Sequence, residues 1–174
     1  MHQPIASASE WVTRWGLLIP AGGRVLDVAC GGGRHARWLA RQGHEVDAVD
    51  RDRAALAGLE GIPGVHPLCA DLEGAVWPYA PGNYRGVVVT NYLHRPLFPR
   101  LLEALAPGGV LIYETFATGN ERYGKPSNPD FLLRPGELLD VVRDRLRVIA
   151  YEAIRLDRPK PAVVQRICAE KTLA

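Results

Sequence analysis

Three acidic residues and one glycine-rich turn lie at spacings that suit the recognition of a nucleoside. Asp27 precedes residues 29–33 (ACGGG), where glycines let a ligand approach the backbone and supply torsions that other residues disfavour. Asp50 lies about seventeen residues beyond Gly33, at a distance where a carboxylate accepts hydrogen bonds from the two hydroxyl groups of a ribose. Asp71 follows a further apolar run, where the edge of an adenine would arrive.

Short apolar runs separated by helical patterns provide the scaffold that would bring these residues together. Runs typical of buried parallel strands occur at residues 24–28, 45–50, 65–69, 85–90 and 110–115. A first helix is predicted through Trp11 and Trp15, behind a capping box formed by Ser7 and Glu10. Further helices are predicted around residues 34–41, 54–59, 98–105 and 135–143.

The end of the chain has a different pattern. Two β-like runs, 146–154 and 162–169, are joined by a link that is too short for a crossover helix, so they must pair antiparallel. Residues 116–129 show no period and form a loop long enough to suggest a function such as a lid. Residues 1–174 are therefore predicted to form a single α/β domain. Its core would be a Rossmann-like, doubly wound, seven-stranded and mostly parallel sheet, with helices on both faces and a C-terminal antiparallel hairpin.

The composition is that of an ordinary globular protein and argues against several classes of function. Hydrophobic residues make up 47% and charged residues 23% of the chain, and the formal net charge is only +2. The arginines are scattered among acids, which argues against a nucleic-acid-binding face. Three distant cysteines form no CxxC pair, so neither a disulfide framework nor a metal site is expected. Because no bilayer-spanning run or signal peptide is evident, we predict a cytoplasmic monomer or homodimer without membrane partners.

A glycine loop alone is compatible with more than one nucleotide ligand. Residues 31–36 (GGGRHA) also satisfy the loose dinucleotide fingerprint G-x-G-x-x-A, which would indicate a nicotinamide-dependent oxidoreductase. Three features favour another ligand: Asp27 within the first strand, Asp71-Leu72 after the third, and the terminal hairpin, which a dinucleotide-binding half does not need.

Taken together, these motifs resemble the class I S-adenosylmethionine-dependent methyltransferase family. The similarity covers roughly residues 25–115, and the final hairpin fits strands six and seven of the family's fold. The matching segments are residues 25–33 (VLDVACGGG), 49–50 (VD), 70–72 (ADL), 86–91 (GVVVTN) and 105–111 (LAPGGVL). One departure is Ala29, which stands where the family has its first loop glycine. This departure weakens the expectation of a backbone contact to the methionine amino group at Ala29, but not at Gly31.

The resemblance implies S-adenosylmethionine as the cofactor. The residues that it assigns to cofactor binding are Asp27, Ala29, Cys30, Gly31, Gly33, Asp50, Arg51, Asp71, Leu72, Thr90 and Asn91. Candidates for contact with a methyl acceptor follow the fourth and fifth strands, where the fold places its substrate. For the histidine and the two arginines among them, the alternative is a solvated surface role. The candidates are Tyr92, His94, Arg95, Glu114, Arg122 and Tyr123.

The predicted activity is in-line methyl transfer to a small molecule, because the core fold leaves few residues to grip a larger substrate. No catalytic base is assigned, since positioning supplies much of the rate of such a displacement. The segment after strand five looks like the small tellurite-resistance and thiopurine-methyltransferase-like branch, for which the acceptor is left open. The alternatives are the oxidoreductase and a non-catalytic nucleoside-binding module.

Overall fold

The computed structural model describes residues 7–173, which form one seven-stranded sheet in the order β3-β2-β1-β4-β5-β7-β6. Five neighbouring strands run parallel, and β7 pairs antiparallel with both β5 and β6. The strands are β1 (Arg24–Val28), β2 (Glu45–Asp50), β3 (Val65–Cys69), β4 (Tyr84–Thr90), β5 (Leu105–Phe116), β6 (Arg147–Leu156) and β7 (Ala162–Glu170). The predicted fold class and hairpin are confirmed.

Helices cover both faces of the sheet, as predicted. They are α1 (Glu10–Trp15), α2 (Arg34–Arg41), α3 (Arg53–Leu56), α4 (Phe98–Ala104) and α5 (Glu137–Val142). Helices α1, α2 and α3 pack on one face, where Val25, Val88 and Ile112 are fully buried. Helices α4 and α5 pack on the other face, against alternate strand residues such as Leu26 and Leu111. This alternation follows from the two-residue period of a strand.

Three local predictions differ from the structure. Helix α1 is capped by Ser9 and not by Ser7, because the Ser9 hydroxyl accepts hydrogen bonds from the amides of Trp11 and Val12 at 3.1 and 3.4 Å. Strand β5 begins at Leu105, five residues before the predicted start at residue 110, because Leu105 pairs with Tyr84 ahead of a register shift. Helix α5 begins at Glu137, two residues after the predicted start at Pro135.

The predicted loop after β5 contains short ordered pieces. Residues Asn120–Arg122 and Pro129–Phe131 form 3-10 turns, and the loop is closed at its base by a bridge between Ala117 and Leu133. The Leu133 amide donates to the Phe116 carbonyl at 3.0 Å, so the far end of the loop returns to the end of β5. This return places loop residues beside the carboxyl ends of the parallel strands.

Candidate functional site

A cavity of about 430 Å³ opens at the carboxyl ends of β1 to β5. This is the edge where a doubly wound sheet binds its ligands, and β1 and β4 flank the point where the strand order reverses. The cavity brings together the glycine loop, both predicted nucleoside acids and the loop that follows β5. Its lining consists of Ala29, Val49, Asp50, Arg51, Ala70, Asp71, Leu72, Glu73, Asn91, Tyr92, Leu93, Thr115, Phe116, Pro126 and Phe131.

The loop after β1 has the backbone conformation that its glycines predict. Ala29, Gly31 and Gly33 all adopt positive φ, at 52°, 53° and 73°. A side chain added at Gly31 would point into open space, whereas one at Gly33 would meet the Leu59 side chain at 2.4 Å. Ala29 therefore occupies a torsion that favours glycine, which explains why the family has glycine at this position.

The Asp50 carboxylate ties this loop to the end of β2. Its Oδ2 accepts a hydrogen bond from the Gly31 amide at 2.7 Å, and its Oδ1 accepts one from the Asp52 amide at 2.9 Å. Each carboxylate oxygen has a second lone pair, so Asp50 retains the capacity to accept from two hydroxyl groups. The Gly31 amide is engaged with Asp50, so its carbonyl is the group available to a methionine amino group. That carbonyl faces the Cys30 thiol at 3.6 Å.

Asp27 lies under the loop without a partner. It is 1% exposed, and neither carboxylate oxygen has a hydrogen-bond partner among the described residues. Burial raises the pKa of Asp27 to about 7. The backbone amide of Ala36, which is too poorly placed for a full hydrogen bond, and the charge of Arg34 oppose this rise, whereas the charge of Asp50 adds to it. An orphaned buried carboxyl group of this kind calls for a donor or a cation.

Cys30 is a buried packing residue beside the same loop. Its amide donates to the Val49 carbonyl at 3.0 Å, and its side chain belongs to the core on the α2 face. Burial is the main cause that raises the pKa of the thiol, with the charges of Asp27 and Asp50 adding to it. The thiol therefore stays protonated, which is the opposite of what a nucleophilic cysteine needs.

Thr90, at the end of β4, contacts a histidine that the sequence motifs did not assign to the site. The His35 Nε2 accepts a hydrogen bond from the Ser9 amide at 3.1 Å, so the proton of the neutral ring resides on Nδ1 and points to the Thr90 hydroxyl at 3.3 Å. Burial lowers the pKa of His35 to about 3, and Arg34 adds to this effect. The ring is therefore a neutral link between α1, α2 and β4.

Asn91 and Tyr92 bring β4 to the cavity wall. Asn91 has a φ of 53°, and its amide donates to the Glu114 carbonyl at 2.9 Å. The Tyr92 hydroxyl donates to Glu73 at 3.1 Å, and Glu73 also lies 3.9 Å from His94. Burial is the main cause that raises the Tyr92 pKa, and Glu73 contributes to the rise. Glu73 carries no motif of its own, so the sequence offered no signal for it.

Arg95, one of the candidates predicted around the acceptor, is engaged by other parts of the protein. Its guanidinium donates to both carboxylate oxygens of Glu137, at 2.6 and 3.0 Å. It also donates to the carbonyls of Asp130 and Leu132, both at 2.9 Å. Arg95 therefore holds the second half of the loop in place on both sides of Phe131. Phe131 lines the cavity, although the sequence did not mark it as a site residue.

The remaining predicted acceptor residues lie away from the cavity lining. Glu114 faces α1, where it accepts from the Ser9 hydroxyl at 2.7 Å and from Arg166 at 3.1 Å. Arg122 and Tyr123 are exposed, and the Tyr123 ring faces the Arg155 guanidinium of β6 at 6.0 Å. The loop that the sequence singled out does reach the cavity, but through Pro126 and Phe131.

Two further properties concern residues 7–173 only. No three histidine, cysteine or acidic side chains in this range are grouped as a metal site would require. None of the helices in the same range has the length and apolar character of a membrane-crossing segment.

Comparison with known proteins identifies the family. A family of methyltransferase domains matches residues 25–109, a segment that holds the glycine loop, Asp50 and Asp71. The chain belongs to the class I S-adenosylmethionine-dependent methyltransferases. This membership assigns the loose fingerprint of residues 31–36 to a methyltransferase loop and not to a nicotinamide-dependent oxidoreductase.

Curated relatives of this methyltransferase chain are only partly covered by it. A trans-aconitate 2-methyltransferase from Paracidovorax citrulli is 34% identical over 102 residues, which are 53% of this chain and 38% of the relative. An uncharacterized methyltransferase from Mycobacterium tuberculosis is 34% identical over 134 residues, which are 71% of this chain and 66% of the relative. The matched segments thus cover from about a fifth to two thirds of the length of such relatives.

Solved structures share the fold over nearly the whole chain. The crystal structure of TehB from Haemophilus influenzae has a TM-score of 0.78 at 19% identity, covering 97% of this chain and 64% of that one. A methyltransferase from Methanosarcina mazei has a TM-score of 0.72 at 15% identity, covering 97% of this chain and 100% of that one. At these identities the likeness concerns the architecture.

Proposed function

We propose that this chain transfers a methyl group from S-adenosylmethionine to a small-molecule acceptor by in-line displacement. The observation that carries the proposal is the convergence of the loop at Ala29, Asp50 and Asp71 on one cavity, although they follow three different strands. The cavity lies at the edge of the sheet where the family binds its cofactor. The trans-aconitate 2-methyltransferase among the relatives is in accord with a small acceptor.

The residues of the cavity fit the adenosyl part of the cofactor. Asp50 has free acceptor capacity for the ribose hydroxyls, and Asp71 and Leu72 follow β3 at the position proposed for the adenine. The open space over Gly31 leaves room for the backbone of the loop to face the ligand. The unpartnered carboxyl group of Asp27 would face the methionine ammonium, directly or through a water molecule.

The chemistry of the transfer requires mainly alignment from the protein. When bound, the sulfonium supplies an already activated methyl group, so positioning of the acceptor accounts for much of the rate. Thr115, Phe116 and Phe131 would shape the acceptor's place and exclude water from it. For an acceptor that must lose a proton, Glu73 is the remaining carboxylate of the cavity, and the Tyr92 hydroxyl, which donates to Glu73 at 3.1 Å, connects it to the residues that follow β4.

Binding of S-adenosylhomocysteine tests this proposal directly. At about 100 times its dissociation constant, the ligand should stabilise the protein by about 2.7 kcal/mol in a thermal or urea unfolding experiment. The Asp50→Ala variant should bind about 10- to 150-fold more weakly in calorimetry, because it loses charge-assisted hydrogen bonds of about 1.5–3 kcal/mol. Asp157→Ala, which removes an exposed carboxylate on the hairpin, is the matched control and should bind like the wild type.

Two outcomes would contradict the proposal. One is the absence of any stabilisation at millimolar S-adenosylhomocysteine. The other is unchanged affinity in Asp50→Ala, which would mean that another residue holds the ribose. Because Asp50 also anchors the Gly31 amide, unfolding of each variant without ligand must be measured alongside, so that a loss of folding is not read as a loss of binding.

A further inference from the structure

The cavity has two chemically different ends. The end that follows β2 and β3 carries the charged residues Asp50, Arg51, Asp71 and Glu73. The other end, called the acceptor end here, follows β4 and β5. It is formed by Asn91, Tyr92, Leu93, Thr115, Phe116, Pro126 and Phe131, of which Asn91 and Thr115 are polar and uncharged.

Positive charge is scarce around this cavity. Among its described lining residues only Arg51 carries a positive charge, and Arg51 adjoins Asp50 at the other end. Three carboxylates share the same lining, so the local charge opposes an anion. A carboxylate or oxyanion that moves from water to the acceptor end would lose its hydration there. No cation among the lining residues of that end would compensate for this loss, so the transfer is costly.

The two arginines predicted near the acceptor, Arg95 and Arg122, do not offer a cation to this cavity. The Arg95 guanidinium is already engaged by both oxygens of Glu137 and by two carbonyls. Arg122 is exposed in its 3-10 turn and does not line the cavity. An anionic acceptor would therefore require Arg95 to leave a buried carboxylate unpaired.

The acceptor end instead presents apolar and aromatic surface. Phe116, Pro126 and Leu93 line it, and the Phe131 ring is 53% exposed at its mouth. Aromatic side chains pack favourably on flat rings by offset or edge contacts. The cavity of about 430 Å³ must hold the adenosyl part of the cofactor as well as the acceptor, so the acceptor itself must be small.

We propose that the acceptor is an uncharged, ring-sized apolar molecule that packs against Phe131 at the acceptor end, and that anionic acceptors are excluded. This inference rests on the proposed methyltransferase function and narrows its substrate class. The excluded anionic acceptors include both the oxyanions and the carboxylates, which the family resemblance and the relatives did not rule out as methyl acceptors.

Two probes of equal size and different charge test the inference. Benzyl alcohol and benzoate are titrated by saturation-transfer NMR against the protein saturated with S-adenosylhomocysteine. Benzyl alcohol should bind at least ten-fold more tightly than benzoate. Benzoate binding as tightly as benzyl alcohol, or the absence of binding by either probe to the loaded protein, would overturn the proposal.

A matched pair of aromatic variants locates the binding. Phe131→Ala should weaken benzyl alcohol at least five-fold, whereas Tyr123→Ala, which removes an exposed ring of the same loop outside the lining, should leave it unchanged. Equal effects of the two variants would contradict the assigned position. Affinity for S-adenosylhomocysteine is measured in every sample. If the wild type does not bind S-adenosylhomocysteine, the proposed function is refuted. If the wild type binds S-adenosylhomocysteine but prefers benzoate to benzyl alcohol, only the present inference is refuted.

Discussion

At the scale of single residues, Asp27 has the environment least suited to its charge. It is fully enclosed, its two oxygens lack partners, and its side chain shares the α2 side of the loop with the buried Cys30. A carboxyl group of this kind destabilises the folded protein whenever it is ionised. Such a cost is typical of sites where a ligand completes the interactions that the protein lacks.

This cost predicts a pH dependence of stability. Burial raises the pKa of native Asp27 to about 7, whereas an unfolded aspartic acid titrates near 3.9. The native state therefore holds the extra proton between these pH values, and the free energy of unfolding should fall as the pH rises from about 4 to about 7. The Asp27→Asn side chain cannot ionise, so the free energy of unfolding of this variant should exceed that of the wild type by up to about 4 kcal/mol at pH 8.

Urea unfolding of the ligand-free protein from pH 4 to pH 8 measures this difference. The gap between Asp27→Asn and the wild type should close toward pH 4, where both side chains are neutral. Asp157→Asn, an exposed site, should follow the wild-type profile throughout. A constant gap across the pH range would show that the variant acts through packing and not through ionisation.

At the scale of elements, the cavity wall depends on a clamp between the entry to α4 and the start of α5. The Arg95–Glu137 pair is largely enclosed, with side chains 31% and 6% exposed, and Arg95 adds the two carbonyl contacts that flank Phe131. Burial raises the pKa of Glu137, but the hydrogen bonds from Arg95 and Arg134 outweigh it and lower the pKa below its ordinary value. The loop end is thus held by charge as well as by packing.

Breaking this clamp should loosen the loop. Arg95→Met leaves the Glu137 carboxylate enclosed without its main partner and should lower the free energy of unfolding by about 2 kcal/mol. Amide hydrogens of residues 130–133 should also exchange faster. Arg134→Met removes an arginine that is 74% exposed and also contacts Glu137, so it should cost less than about 1 kcal/mol. Equal losses in the two variants would contradict the clamp.

The elements differ in how far the sequence predicts them. Strands β1 to β4 are predictable because each is a short run with a strand-like pattern, and the position of Asp50 at the end of β2 is predictable because its motif is local. The role of Arg95 was not predictable in the same way, since its partners lie at Asp130, Leu132 and Glu137, far along the chain. Phe131 could not be predicted for the same reason, because only the closed fold brings it to the cavity, whereas Glu73 adjoins the Asp71 motif but carries no signal of its own.

At the scale of the whole molecule, one buried ionic network joins the N-terminal helix to the C-terminal hairpin. Arg166 of β7 pairs with Glu114 of β5 and with Glu152 of β6, and its guanidinium lies 4.8 Å from the Trp11 ring of α1. Glu114 in turn accepts from the Ser9 hydroxyl at the start of α1. The network fixes α1 near Thr90 at the end of β4 and near His35 of α2, which contacts both α1 and Thr90. No local sequence pattern predicts this network.

Removal of Arg166 should therefore affect distant parts of the protein together. Arg166→Met leaves Glu114, whose side chain is 10% exposed, without a cation, so the free energy of unfolding should fall by about 3 kcal/mol. Loss of the cation–π contact should also change the tryptophan emission of the folded protein. Arg147→Met, which breaks a hairpin pair whose arginine is 63% exposed, should cost less than about 1 kcal/mol and leave the emission unchanged. If Arg166→Met is no worse than Arg147→Met in urea unfolding, then packing alone holds α1 on the sheet. In that case the neutral His35 link, and not the ion pairs, would be what positions the N-terminal helix beside the cavity.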